Sequence, residues 1–177
     1  KDAMATSSDT FIAFSYPPDT IAITDAARVL NYNPKVYYTA VGTAFPVFKG
    51  KFGASIEGVM GVGGWNVDSP PLQAYFRRHT DVIGREPDRW ASPVTYVSLQ
   101  MLQQAIERVG KIDRASIIKE LQTGTFDTIM GKIKLVDNIM PIVWWVGQWQ
   151  KGEFVGLAPT SYEGAKAPLF PKPAGKQ

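Results

Sequence analysis

Short apolar runs alternate along this chain with segments whose apolar residues recur at three- and four-residue intervals. The first pattern marks strands and the second marks helices packed along one side. Thr10 to Ser15 (TFIAFS) predicts a strand, ended by Tyr16-Pro17-Pro18. Asp19 or Thr20 is then placed to cap a helix whose apolar positions Ile23, Ala26, Ala27 and Leu30 share one face. Asn31 and Pro34 close it. Lys35 to Thr39 (KVYYT) predicts a second strand and Ile56 to Val62 (IEGVMGV) a third.

Ser69-Pro70-Pro71 opens the next helix, with Leu72, Tyr75, Phe76 and Ile83 on one face and a break over Gly84 to Pro87. From about Pro93 a long helix runs to Val109, its buried stripe read as Val97, Met101, Leu102, Ala105, Ile106 and Val109, with Gly110 as the stop. Asp113 caps a shorter helix carrying Ile117, Ile118 and Leu121, closed by Gly124. The pattern then turns to β: Ile142 to Trp149, a turn at Gln150 to Glu153, and Phe154 to Leu157. The final Pro-, Lys- and Gly-rich residues are expected to trail over the surface.

Strands alternating with helices predict an α/β fold with parallel strands and right-handed crossovers. Ligands on such sheets collect at the carboxyl ends of the strands. Those ends are the loops Ser15-Tyr16-Pro17, Ala40 to Phe45 and Gly63-Gly64-Trp65-Asn66. Each carries an aromatic residue, and two are glycine-rich.

Composition narrows the chemistry. The 177 residues are 45% hydrophobic and 20% charged, the balance of a globular chain with an ordinary core. Nineteen basic against sixteen acidic residues leave a net charge of +3 with no basic cluster, which argues against nucleic acid as a partner. There is no cysteine, so disulfides, thiolate metal sites and thiol nucleophiles are excluded. His79 is the only histidine, and its place near the end of a helix face favours an edge or capping role over catalysis. No acidic pairs suggest a metal site, no cofactor motif is complete, and no G-x-S-x-G elbow occurs. Gly58 to Gly64 (GVMGVGG) has the wrong spacing for a dinucleotide loop and leads into Trp65-Asn66, so tight turning and close packing explain its glycines better. Trp144, Trp145 and Trp149 lie among Ile142, Val143 and Val146 with no nearby arginine, the pattern of a core or interface strand. This inventory offers no catalytic constellation, so an enzyme is not expected. No apolar run is long enough to span a membrane. The first residues lack the apolar stretch of a signal peptide, which is expected to lie outside this chain.

Several stretches together resemble the Leu/Ile/Val-type periplasmic binding proteins of ABC importers, with the two-lobed type I binding-protein fold. Asp9 to Pro18 (DTFIAFSYPP) resembles a strand and ligand loop of the second lobe, and Gly58 to Asn66 the glycine-rich strand leaving it. Thr95 to Gly110 resembles the helix that crosses back to the first lobe. Phe126, Thr128, Gly131 and Asp137 match the family's F-x-T-x-x-G-x-[ILV]-x-[FL]-D segment, and Trp144 to Gly156 resembles its closing strand pair. The likeness is to the second half of such a protein, which implies a fragment. It implies a three-layer second lobe over residues 1–92, hinge-crossing and first-lobe helices over 93–138, closing strands over 139–160 and an extended tail over 161–177. Apolar faces left by a missing first lobe then predict self-association. The implied location is periplasmic or otherwise extracytoplasmic, and the implied partners are a small ligand (an amino acid, an aromatic or short-chain carboxylate, or an amide) and the membrane subunits of an ABC importer. A ligand-sensing regulatory domain of the same fold, in a receptor or amide sensor, is the alternative.

The resemblance also implies a ligand site between the lobes. It places Tyr16 at the end of the first second-lobe strand, Tyr96 at the start of the crossing helix, and Val41-Gly42 where branched-chain binders set a glutamate against the ligand's ammonium. An ammonium buried without that acid would lose on the order of 3 to 5 kcal/mol. Either Asp19 or Glu57 substitutes, or the ligand lacks an amine; the second is favoured. An aromatic carboxylate, a short-chain acid or an amide then fits, with Tyr16, Phe45 and Trp65 as apolar walls. For Phe45 and Trp65 the competing role is that of ordinary loop anchors.

Overall fold

The computed structural model describes residues 2–65, 69–141, 145–161 and 164–174. One helical turn, α1 (Asp2–Ala5), leads into strand β1 (Thr10–Ala13), helix α2 (Pro17–Val29) and strand β2 (Val36–Thr39). Helix α3 (Pro46–Phe52) and a 3-10 turn (Gly53–Ile56) precede β3 (Met60–Val62). Helices α4 (Pro70–Ile83), α5 (Ala91–Val109) and α6 (Arg114–Thr123) follow, then the hairpin β4 (Phe126–Thr128) and β5 (Gly131–Ile133), and finally β6 (Val146–Gln150) and β7 (Glu153–Ala158).

Three of these helices begin in the same way. Tyr16, Phe45 and Ser69 are extended residues in the N-cap position, each followed by proline in the first helical turn. Proline forces its predecessor out of helical geometry and suits the first turn, where its missing N–H costs nothing. Helix α2 therefore starts at Pro17, and Asp19 and Thr20 lie inside its first turn, not at its cap as the sequence pattern suggested. Helix α3 was not anticipated at all. It is short, contains Gly50, and owes its stability to burying Phe48 and Phe52.

The main sheet has the order β1-β2-β3-β6-β7. Strands β1, β2 and β3 run parallel, with Thr10 beside Val36 and Tyr38 beside Met60. β6 is antiparallel to both β3 and β7, so the sheet is parallel on one side and closes with an antiparallel pair. The β6–β7 hairpin turns at Lys151 and Gly152, both at positive φ. Of the closing strand expected from Ile142, residues 142–144, and with them Trp144, lie outside the described residues; β6 begins at Val146.

Two apolar clusters hold the molecule together. On one face of the sheet α2 and α3 cover Tyr37, Val59, Trp149 and Phe154, with Phe48 and Phe52 at the centre. The second cluster joins Leu72 and Phe76 of α4 to Val97, Met101 and Ala105 of α5, Ile117 of α6 and Phe126 of the hairpin. The stripe anticipated on α5 is correct at Val97, Met101 and Ala105, but Leu102 is exposed, and so is Ile118 on α6. Asp113 caps α6 by accepting a hydrogen bond from the Ser116 N–H at 2.9 Å.

The tail is tied down more firmly than its composition suggested. The Lys166 N–H donates to the Gly156 carbonyl, and the Leu169 N–H to the Gln148 side-chain oxygen. The Lys172 N–H donates to the Lys35 carbonyl. Residues 165–174 thus run as a strap from β7 past β6 to the start of β2. Among the described residues no helix is long and apolar enough to cross a membrane.

Candidate functional site

Because β1, β2 and β3 are parallel, the loops that follow them emerge along one edge of the sheet. Backbone hydrogen bonds stitch these loops together. Val41 N–H donates to the Ser15 carbonyl, Val62 N–H to Ala40, Gly64 N–H to Arg89, and Arg89 N–H to Ala44. Buried hydroxyls lock them further: Thr20 donates to the Val41 carbonyl and lies 2.7 Å from the Ser15 hydroxyl, while Thr43 bonds the Thr39 carbonyl. Two glycines permit the close approach. Gly42 sits at φ +101° with Pro17 so near that a β-carbon would meet its Cα at 2.8 Å. Gly63, at φ +116°, would place one 2.5 Å from the Arg89 carbonyl oxygen.

The result is a rigid rim on which side chains are displayed or withheld. Tyr16 is 72% exposed, held at the rim by the Pro17 that follows it. Val41 is half-buried, and both of its backbone polar groups are engaged, so it offers only an apolar side chain. Gly42 is buried against Pro17 and shapes the loop. Phe45 is half-buried, its ring 6.0 Å from that of Trp90. Trp65 turns inward: it is buried, its ring lies 5.3 Å from Trp145, and its indole N–H donates to the Trp90 carbonyl. Asn66, the last residue of its loop, lies outside the described residues.

Tyr96 stands apart. It is on α5, six residues beyond Trp90, or about 9 Å along the helix axis, with its ring 4.8 Å from Tyr75 of α4. The structure therefore groups Tyr16, Val41, Gly42 and Phe45 on one rim, sets Trp65 beneath it and places Tyr96 on the neighbouring helix. Burial raises the Tyr75 phenol above its ordinary value, with the negative charge of Asp88 adding to the effect.

Sequence reasoning missed Asp88-Arg89-Trp90. The Asp88 carboxylate accepts hydrogen bonds from the Trp90, Ala91 and Ser92 N–H groups and starts α5. The Arg89 guanidinium donates to the Phe154 carbonyl and lies over the Phe76 ring. The signal was present: an acidic residue shortly before a helix is a capping pattern, and Trp90 is the aromatic that completes the rim.

Of the two acids suggested as replacements for the missing glutamate, Glu57 is engaged elsewhere. Both of its oxygens accept from the Lys151 N–H, at the opposite end of β3 from the rim. Asp19 is exposed in the first turn of α2, on the rim side. His79 is accounted for by a 3.1 Å contact with the Arg85 carbonyl and its packing near Tyr75. Among the described residues no group of acidic or histidine side chains is arranged to hold a metal ion.

The carboxyl edge of a parallel sheet is where small solutes collect in α/β folds. The family follows from comparison: residues 1–153 match the model described as periplasmic binding protein, and the chain belongs to that family. The family comprises solute-binding proteins of ABC transporters and extracellular ligand receptors. A solute-binding protein from R. palustris, solved with benzoate, has a similar fold at 17% identity and a TM-score of 0.75, covering 98% of this chain and 47% of that one. The leucine-, isoleucine-, valine-, threonine- and alanine-binding protein of Brucella ovis gives 18% identity and 0.72, covering 97% and 49%. The leucine-binding protein LivK of Thermotoga maritima gives 24% and 0.69, covering 89% and 46%. The chain thus spans about half the length of these solved structures. A search of curated proteins finds no match.

Proposed function

We propose that this chain is the second half of an extracytoplasmic solute-binding protein of an ABC importer, and that its rim forms one wall of the ligand cleft. It acts by binding, without catalysis. Tyr16, Val41 and Phe45 would touch the ligand, with Gly42 shaping the loop, Trp65 supporting it from beneath and Tyr96 reaching in from α5. The preferred ligand is a small carboxylate or amide without an amine, aromatic or short-chain.

One observation carries this choice of ligand. Where the resembling branched-chain binders have a glutamate, Val41 presents an apolar side chain and no free backbone group, while Glu57 is held at the far end of β3. An ammonium placed there would lack its charge-assisted partner, unless Asp19 swung in from the solvent. Two structural neighbours are consistent with such cargo, one solved with benzoate and another with 3,4-dihydroxybenzoic acid. Leu99, Ile112 and Val136 are exposed on the segment assigned to the first lobe, so the chain alone is expected to self-associate through that surface.

Thermal-shift titration of the two-lobed protein tests the reading. Benzoate, hexanoate or benzamide should raise the melting temperature with concentration, because a ligand of the native state stabilises it by mass action. Stabilisation by leucine and valine alone would reverse the assignment of Val41. The alternative, a ligand-sensing domain of the same fold, shares this rim and differs in its partner. Binding of the loaded protein to ABC membrane subunits separates the two.

A further inference from the structure

The two apolar clusters share no buried residue among those described. Leu72 and Phe76 place α4 with α5 and α6 in one body, while Tyr37, Phe48, Trp149 and Phe154 hold the sheet, α2 and α3 together as another. Two open cavities, of about 690 Å³ and about 530 Å³, flank the loop that leads from α4 to α5. The first is bounded by α3 and the β6–β7 turn, the second by α4 and β7, and Glu86, Arg89 and Glu153 line both. A junction opened in this way is not a large apolar interface. Bodies joined so turn against each other unless a specific contact sets their angle.

Arg89 makes such a contact. Its guanidinium lies 5.3 Å from the centre of the Phe76 ring on one body and donates to the Phe154 carbonyl of the other at 3.1 Å, on the edge strand β7. Its backbone N–H donates to the Ala44 carbonyl, and its carbonyl accepts from the Gly64 N–H. The backbone of Arg89 is thereby pinned to the loops that carry Phe45 and Trp65, and its side chain reaches from that fixed point to α4. A guanidinium suits the task, because its flat face covers an aromatic ring while its edge keeps donating. We infer that Arg89 is a positioning residue: its guanidinium braces the α4–α6 body against the sheet and so sets the distance from Tyr96, on α5, to Val41 and Phe45 on the rim. The effect on a ligand rests on the cleft proposed above; the brace itself does not.

The test compares amide residual dipolar couplings in the isotope-labelled chain, residues 10–62 and 146–158 against residues 70–83 and 93–133. In the native chain both sets should fit one alignment. Arg89→Met keeps an unbranched stem beside Phe76 but removes the charge and the donor, so each set should still fit by itself while the joint fit fails. Arg89→Lys keeps a cation and a donor and should restore the common alignment. Separate alignments in the native chain would refute the brace, as would an Arg89→Met chain that keeps the native angle. General loss of amide dispersion in Arg89→Met would overturn it too, by making Arg89 a requirement of folding and not of the angle. An Arg89→Lys chain that behaves like Arg89→Met would overturn the assignment to the charge and its bond. In the two-lobed protein, Arg89→Met should weaken benzoate binding about threefold or more, as the fraction holding the native angle falls. Unchanged affinity beside a changed angle would overturn the link to the cleft. The alignment measurement uses no ligand, so a cleft that fails to bind benzoate leaves the brace to be judged separately.

Discussion

Thr20 is fully buried in the first turn of α2, where its hydroxyl donates to the Val41 carbonyl and meets Ser15. Its role is positional: it sets the height of the Val41 loop against α2. Replacing it with valine keeps the shape and leaves the Val41 carbonyl and the Ser15 hydroxyl unsatisfied. Thr20→Val should cost about 1–3 kcal/mol, read from urea denaturation, and should move the amide signals of residues 40–43. A change well below that range would mean that water replaces the bond. Tyr16 and Phe45 were legible in the sequence because each is the aromatic of a loop that follows a parallel strand. Thr20 was not, since a threonine after two prolines reads as a cap, and its partner Val41 lies 21 residues away. Trp65 shows the same limit: its place in a glycine-rich loop suggested a ligand wall, but which way an indole turns depends on Trp145, distant in sequence.

At the scale of elements, the strong local signals were the reliable ones. The proline-led helix α4, the Gly110 stop of α5 and the Asp113 cap of α6 all lie where the sequence put them. Elements held by tertiary burial, such as α3 and the β4–β5 hairpin, carried too little periodicity to be read as helix or strands. The Asp113 cap has a pH signature. The hydroxyl and N–H of Ser116 hold its carboxyl below the ordinary value of 3.8. A depressed carboxylate stabilises the folded state above its ordinary value, and that contribution is lost as pH falls through the lowered one. Helix content between about pH 5 and about pH 2 should therefore fall more steeply in the native chain than in Asp113→Ala, which lacks the cap at every pH. The β6–β7 pair makes a sterner demand. A β-carbon on Gly156 would collide with the Trp145 ring and the Gly64 carbonyl. Gly156→Ala should lose about 1–3 kcal/mol or more in chemical denaturation, with a change in tryptophan fluorescence as Trp145 is displaced.

For the molecule as a whole, the alternation of strands and helices gave the α/β class and the parallel strands β1–β3. The antiparallel direction of β6 came from closure of the sheet by a segment that arrives after three helices, which no local pattern encodes. The tail strap was equally hidden, since its proline-rich composition is that of a loose end. Gln148 explains why it is not loose. This buried amide donates to the Gly58 and Leu169 carbonyls and accepts from the Leu169 N–H. Deleting residues 165–177 should leave it part-satisfied and lower stability by about 1–3 kcal/mol, measured as a drop in the urea midpoint; an unchanged midpoint would show that the strap is ornamental. The strap also orders events in time. Its Lys172–Asn33 bond joins residues 139 positions apart, so the turn before β2 acquires that partner only after the intervening chain is made. Long-range closures of this kind form slowly. During synthesis β1, β2 and α2 must wait, their inner edge open, until residue 172 has left the ribosome, and a product interrupted before it would carry that edge unprotected.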